Sequence, residues 1–193
     1  MQNVHERIKK VNDADEVLRV LLEVLEYDKS SNFRYTENDE DYDAEYVIEI
    51  ENKKYTLIGI KVLRDYDETK IAVQHLKYWN RNDVPFSIFV LPNEIRIYNN
   101  FTIGAQKLLY KTNDKKNGVF QLFTDRNIVN GVLWEKMNSI TKKNNRVDKY
   151  LLENLRNTII ILNRDYGMEL DAAYNFLAQC IFIRYLEDRE MLT

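Results

Sequence analysis

The chain has 193 residues, 45% of them hydrophobic and 12% aromatic, which is enough apolar material for a buried core and excludes global disorder. Its net charge of -3 supplies no whole-molecule attraction to polyanions, so nucleic-acid binding would need a local basic patch. The lone Cys180 excludes an internal disulfide and a cysteine-based zinc site. No window approaches the roughly 18 apolar residues of a membrane span and no signal-peptide core opens the chain, so the expected setting is cytoplasmic, with no membrane partner.

Val17, Leu18, Leu21, Leu22, Val24 and Leu25 recur at helical spacing, with Asn12 or Asp13 placed as an N-cap, so residues 1–27 read as helical. Val4 and Ile8 suit a short earlier turn. Between Arg34 and Lys53 there is no basic residue, and the acids from Glu37 to Glu45 predict a solvated loop held open by repulsion. From Glu45 the pattern alternates. Tyr46, Ile48 and Ile50 share one strand face, and Glu45, Val47, Glu49 and Glu51 the other. Asn52-Lys53-Lys54 is a turn, and Tyr55 to Leu63 is a partner strand, apolar on both faces near Leu57-Ile58-Gly59-Ile60. Lys61 shares a face with Gly59, where a buried ammonium is costly unless it is paired, functional or able to reach solvent. Asp65 to Thr69 opens a helix that carries Gln74 and Tyr78 four residues apart on one face. Phe86–Leu91 and Glu94–Tyr98 are two strands around Pro92-Asn93. Strands on both sides of one helix predict an α/β fold. Phe101 to Tyr110 and Val119 to Phe123 read as further short strands, and Asn127 to Met137 as a short helix. Lys107, Lys111, Lys115, Lys116, Lys142, Lys143, Arg146 and Lys149 are either a phosphate-tracking patch or ordinary charged surface.

Three features of this stretch are similar to a known family: the strand pair ending in Gly59-Ile60-Lys61, the Gln74-x-x-x-Tyr78 helix, and Val84-Pro85-Phe86 followed by Ile95-x-Ile97-Tyr98-Asn99. Together they resemble the N-terminal nuclease-like domain of restriction-modification proteins, of the type I R-subunit kind, a branch of the PD-(D/E)xK superfamily. The resemblance implies a restriction-endonuclease-like mixed β-sheet flanked by helices. It also implies a divalent metal, Mg²⁺ if the site is active, that activates water against a phosphodiester. Carried over, Glu45 or Asp43 matches the first acid, Lys61 the charge-stabilising lysine, and Gln74 and Tyr78 the pair that contacts DNA or orients the site. Gly59 stands where the second acid belongs. Glu68, on the next helix, is the candidate for a relocated metal ligand.

Leu151, Leu152, Leu155, Ile159 and Leu162 form an apolar stripe that Gly167 ends. The helix after it is apolar almost all round and needs cover on several sides. Phe182, Tyr185, Leu186, Asp188 and Arg189 resemble the helical region ahead of the catalytic domain in N6-adenine DNA methylases of fused restriction-modification enzymes. No S-adenosylmethionine loop or methylase catalytic motif is present, so that cofactor is expected only in a missing downstream domain and this chain is expected not to methylate. The expected organisation is a nuclease-like α/β domain over 1–125, a connecting helix and linker over 126–145, and a helical segment over 146–193. The expected function is DNA recognition or assembly within a restriction-modification protein. An active Mg²⁺-dependent endonuclease and a protein docking domain are the alternatives. The expected partners are double-stranded DNA, a downstream methylase domain or subunit, and a second copy of the chain.

Overall fold

The computed structural model describes residues 4–50, 55–102, 104, 107–112, 118–140 and 147–188. They fall into two compact units, Met1–Val147 and Asp148–Thr193. The turn expected at Asn52-Lys53-Lys54, the basic residues Lys115, Lys116, Lys142, Lys143 and Arg146, and Arg189 lie outside the described residues.

The first unit is mixed α/β. It opens with α1 (Val4–Lys9) and α2 (Ala14–Leu25). Asp13 caps α2 by accepting from the Asp15 N–H, and Asp15 and Glu16 sit at the positive end of its dipole. A single 3-10 turn, Tyr27–Lys29, leads to a sheet of six strands in sequence order: β1 (Phe33–Asp39), β2 (Ala44–Ile50), β3 (Tyr55–Val62), β4 (Phe86–Leu91), β5 (Glu94–Asn99) and β6 (Leu108–Lys111). Neighbours are antiparallel except β3 and β4, which run parallel because α3 (Glu68–Arg81) crosses over between them.

Side-chain alternation sends the two faces of the sheet to different cores. Ile58, Ile60, Phe86, Ile88, Val90, Ile95 and Ile97 pack with Val17, Leu21 and Leu25 of α2. Three further helices contribute to the same core: α4 (Val119–Leu122), α5 (Asp125–Val129) and α6 (Val132–Ile140) supply Phe120, Ile128, Leu133 and Met137. Tyr27 ties the two ends of this layer together by donating its buried hydroxyl to the Phe123 carbonyl. On the opposite face a smaller core of Leu63, Ile71, Phe89, Leu91 and Tyr98 lies under α3.

The acidic stretch before Glu45 is not an open loop, as its charge suggested. Phe33 is buried and Tyr35 stacks on Tyr46 at 4.7 Å between ring centroids, so β1 docks as the outer strand of a hairpin with β2. As an edge strand of the sheet it carries the exposed Arg34 and Glu37, and charge on an edge deters pairing with other chains. Where a strand was expected over Val119 to Phe123, Val119–Leu122 form the helix α4. An apolar run that short carries no decisive period. The single helix expected over 127–137 is broken at Gly131, whose φ of 80° ends α5 and starts α6. Of the strand expected from Phe101 to Tyr110, the described part is β6 at its end.

The second unit consists of α7 (Val147–Tyr166) and α8 (Leu170–Asp188), joined through Gly167 at φ 65°. Within it Ile159 and Ala173 are buried, whereas Leu152, Tyr166, Tyr174, Phe182, Ile183 and Tyr185 are at least half exposed. Among the described residues no helix is long and apolar enough to cross a membrane.

Candidate functional site

The β1–β2 hairpin turn, residues 40–43, is the start of the site. It is tight: the Asp43 N–H donates to the Glu40 carbonyl at 3.2 Å and the Tyr42 N–H to Asp39 Oδ1 at 3.0 Å. Asp43 takes a left-handed backbone with φ 49°, a conformation that Asp and Asn tolerate better than most residues. Glu45 follows two residues later. On the antiparallel partner, Lys61 falls one step beyond the Tyr46–Ile60 pair, which brings it opposite Glu45.

Asp43, Glu45 and Lys61 therefore meet in space. Lys61 Nζ lies 2.7 Å from Asp43 Oδ1 and 3.5 Å from Glu45 Oε1. Glu45 Oε2 accepts from the Val62 N–H at 2.6 Å, which holds the carboxylate along the end of β3. Partial burial draws the Lys61 ammonium down, but its bonds to Asp43 and Glu45 outweigh this and keep it above the ordinary lysine value. Asp43 is held below the ordinary carboxylate value by Lys61 first and then by Lys77. Lys77, on α3, was not among the residues singled out in the sequence, yet its Nζ lies 2.8 Å from Asp43 Oδ2.

The helix α3 grips the hairpin turn from above. Gln74 Nε2 donates to the carbonyls of Tyr42 at 2.9 Å and Asp43 at 3.2 Å. Arg81 donates to the Asp41 carbonyl at 2.7 Å and lays its guanidinium 4.0 Å from the centre of the Tyr42 ring. Gln74, Lys77 and Arg81 are spaced i, i+3, i+7, which places them on one face of the helix. Gln74 is buried, so its amide serves the backbone of the turn.

Tyr78 is fully buried on the same helix, and its ring lies against Gly59. A Cβ at position 59 would stand 2.6 Å from the Tyr78 hydroxyl and 2.8 Å from its Cζ. The glycine is thus required by the close approach of the ring, not by an unusual φ. Burial raises the Tyr78 hydroxyl above its ordinary value. Glu68 is elsewhere in function: it forms an ion pair with Arg96 at 2.7 Å, and Arg96 also bonds Glu94. Lys111 in turn pairs with Glu94 at 3.2 Å, and Lys107 sits 5.9 Å over the Tyr98 ring, so both are engaged with their neighbours.

A cleft of about 400 Å³ opens beside Asp43, Glu45, Lys61 and Lys77, with Asn38, Asp39 and Glu40 on its rim. A second depression of about 330 Å³ continues along α3 past Asp67, Lys70 and Val73. A larger groove of about 1050 Å³ between α2 and α5 is lined by His5, Arg7, Glu23 and Arg126, with Arg7 paired to Glu23 at 2.6 Å.

The divalent metal implied by the family resemblance does not suit this donor set. A hard cation wants about six oxygen ligands. Here both Asp43 oxygens already receive an ammonium, one Glu45 oxygen receives a backbone N–H, and position 59, where the resemblance would place the second acid, is closed by the Tyr78 ring. Among the described residues no group of three or more His, Cys, Asp or Glu is arranged to hold a metal ion.

No protein-family model matches the chain, and no curated protein and no solved structure matches it. The fold and the site define a mixed α/β unit with a lysine–carboxylate cluster at the open end of its β2–β3 pair, followed by a helical hairpin.

Proposed function

We propose that the chain is the nuclease-like region of a DNA restriction-modification protein, retained for recognition and assembly rather than for cleavage. One observation carries the non-cleaving reading. The Tyr78 ring fills the space in front of Gly59, the position from which a second metal-binding acid would have to project. The cluster that remains is balanced in charge without a metal, with Asp43 and Glu45 facing Lys61 and Lys77. The exposed apolar faces of α7 and α8 supply the assembly part of the reading, and their expected occupant is the helical region of an N6-adenine methylase domain or subunit. Double-stranded DNA is the polyanion such a protein would read.

The test is a plasmid-nicking assay with Mg²⁺ and with Mn²⁺, run beside duplex binding in chelator. The reading requires no cleavage with either metal, together with metal-free duplex binding that weakens steeply with salt. Flat salt dependence would remove the recognition half.

A second reading, an active endonuclease, is favoured by the convergence of Asp43, Glu45 and Lys61 on one cleft. Cleavage that disappears in Lys61→Ala would establish it and sink the first.

A further inference from the structure

We propose that Lys77 acts as a built-in cation on the Asp43 carboxylate and that it keeps a latent metal site closed. The inference deepens the non-cleaving reading and rests on it, but on a different residue from the Gly59–Tyr78 contact.

Asp43 is not an ordinary surface acid with a passing partner. Its backbone is fixed in a left-handed turn, and its carbonyl is held by Gln74 at 3.2 Å. The carboxylate is therefore presented in one place, and each oxygen receives a separate ammonium: Lys61 at 2.7 Å and Lys77 at 2.8 Å. The two lysines come from different elements, β3 and α3, and close on the carboxylate from two sides. Together they bring the double positive charge that a divalent cation would bring, one ammonium to each Asp43 oxygen. Removing Lys77 alone leaves two carboxylates facing one lysine, a net negative cluster open to the cleft. Glu45 Oε1, 3.5 Å from Lys61, is the weaker-held oxygen available as a second donor. The ligand class is a hard divalent cation, Mg²⁺ or Mn²⁺.

The experiment is a Mn²⁺ titration of the full chain, read by the electron paramagnetic resonance signal of free Mn²⁺. It compares the natural chain with Lys77→Gln, Lys77→Met, Lys77→Arg and the double variant Lys77→Gln/Asp43→Asn. Lys77 is 55% exposed at its side chain, so the two neutral replacements leave the core intact, and near-ultraviolet circular dichroism checks this. The expected result is Mn²⁺ binding at least tenfold tighter in Lys77→Gln or Lys77→Met, no gain in Lys77→Arg, and loss of the gain when Asp43→Asn is added. Folded neutral variants with no gain would overturn the inference, as would a natural chain that binds as tightly as they do. These outcomes are separable from the parent reading. That reading is decided by DNA cleavage and by the salt dependence of duplex binding in the natural chain, whereas the inference is decided by the affinity of the Lys77 variants.

Discussion

A glycine in a buried strand costs backbone entropy and leaves nothing to pack, so its presence needs a cause. At Gly59 the cause is the Tyr78 ring, which occupies the volume a side chain would take. Gly59→Ala is expected to destabilise the chain by about 1–3 kcal/mol, the usual range for overpacking a close-packed contact. Tyr78→Leu should cost less in the Gly59→Ala background than alone, because the smaller side chain relieves the clash. Urea denaturation of the four-member cycle measures this, and additive effects would show that the two residues do not press on each other. The same contact makes Gly59→Glu a poor way to introduce an acid, since its Cβ meets the Tyr78 ring. That a glycine stands in the buried strand two residues before Lys61 was legible in the sequence. The reason was not, because it lies in a residue nineteen positions away whose burial depends on how α3 crosses the sheet. Titration belongs to this scale too. Asp43 is held below its ordinary pKa by Lys61 and Lys77, so its contribution to stability is present above about pH 4, the unfolded carboxylate range, and is lost as pH falls through the lower folded value. Asp43→Asn should flatten that part of the acid limb of stability against pH, while an unchanged limb would locate the loss in other carboxylates.

The helix α3 links the strand pairs and also fixes the turn that presents Asp43. Its N-terminus is set by Asp67, which accepts from the N–H groups of Thr69 and Lys70, and its end by Asn82 at φ 58°. Between these caps the face of Gln74, Lys77 and Arg81 holds three successive carbonyls and one carboxylate of the hairpin turn. Gln74→Ala removes the two carbonyl contacts and empties a buried place, at a cost on the order of 1–2 kcal/mol. Its distinctive effect should be local. Amide exchange at Tyr42 to Glu45 should quicken by about tenfold or more, as a local opening of that size implies, while β4 and β5 keep their protection. Uniform quickening across the sheet would mean that Gln74 supports the whole fold and not the turn. The hairpin–helix–hairpin order was readable because the alternation in β2 and the long run in β3 are bounded by turn residues and the helix is marked by an acid-rich start. β1 was hidden because its apolar residues, Phe33 and Tyr35, are confined to its first half and the polar run Thr36 to Asp39 completes it. Lys77 was hidden for a related reason. A half-exposed lysine on a helix carries no local sign that a turn thirty-four residues earlier will reach it.

At the scale of the molecule, His75 and the helical hairpin have consequences for the whole chain. His75 is buried, and its Nε2 lies 3.1 Å from the Asn99 carbonyl, which can only accept, so that nitrogen carries the proton. Burial, opposed by that bond, holds its pKa below the ordinary histidine value. The sign follows directly: the unfolded chain binds a proton first, so stability falls as pH drops below about 6.5, well before the carboxylates titrate. A His75→Gln variant should lose the His75 share of that slope, leaving the share of His5, which burial and Lys9 also hold below the ordinary value. The last consequence concerns the independence of the two units. Every buried residue of the main core lies between Ile8 and Met137, and the core is closed on one face of the sheet by α2 and α4–α6 and on the other by α3. Among the described residues of the hairpin of α7 and α8, Ile159 and Ala173 are the buried apolar positions. A chain ending after Val147 should therefore keep the cooperative thermal transition of the full chain to within a few degrees, a shift of under about 1 kcal/mol. The fragment from Asp148 onward has apolar side chains on all sides of α8 and too little interior to order them, because isolated helices gain most of their stability from packing. By circular dichroism and sedimentation it should be partly helical when dilute and more helical as it associates at higher concentration. A monomeric, fully helical fragment would show that the two helices suffice for each other, and the assembly role assigned to their exposed faces would fall with that result.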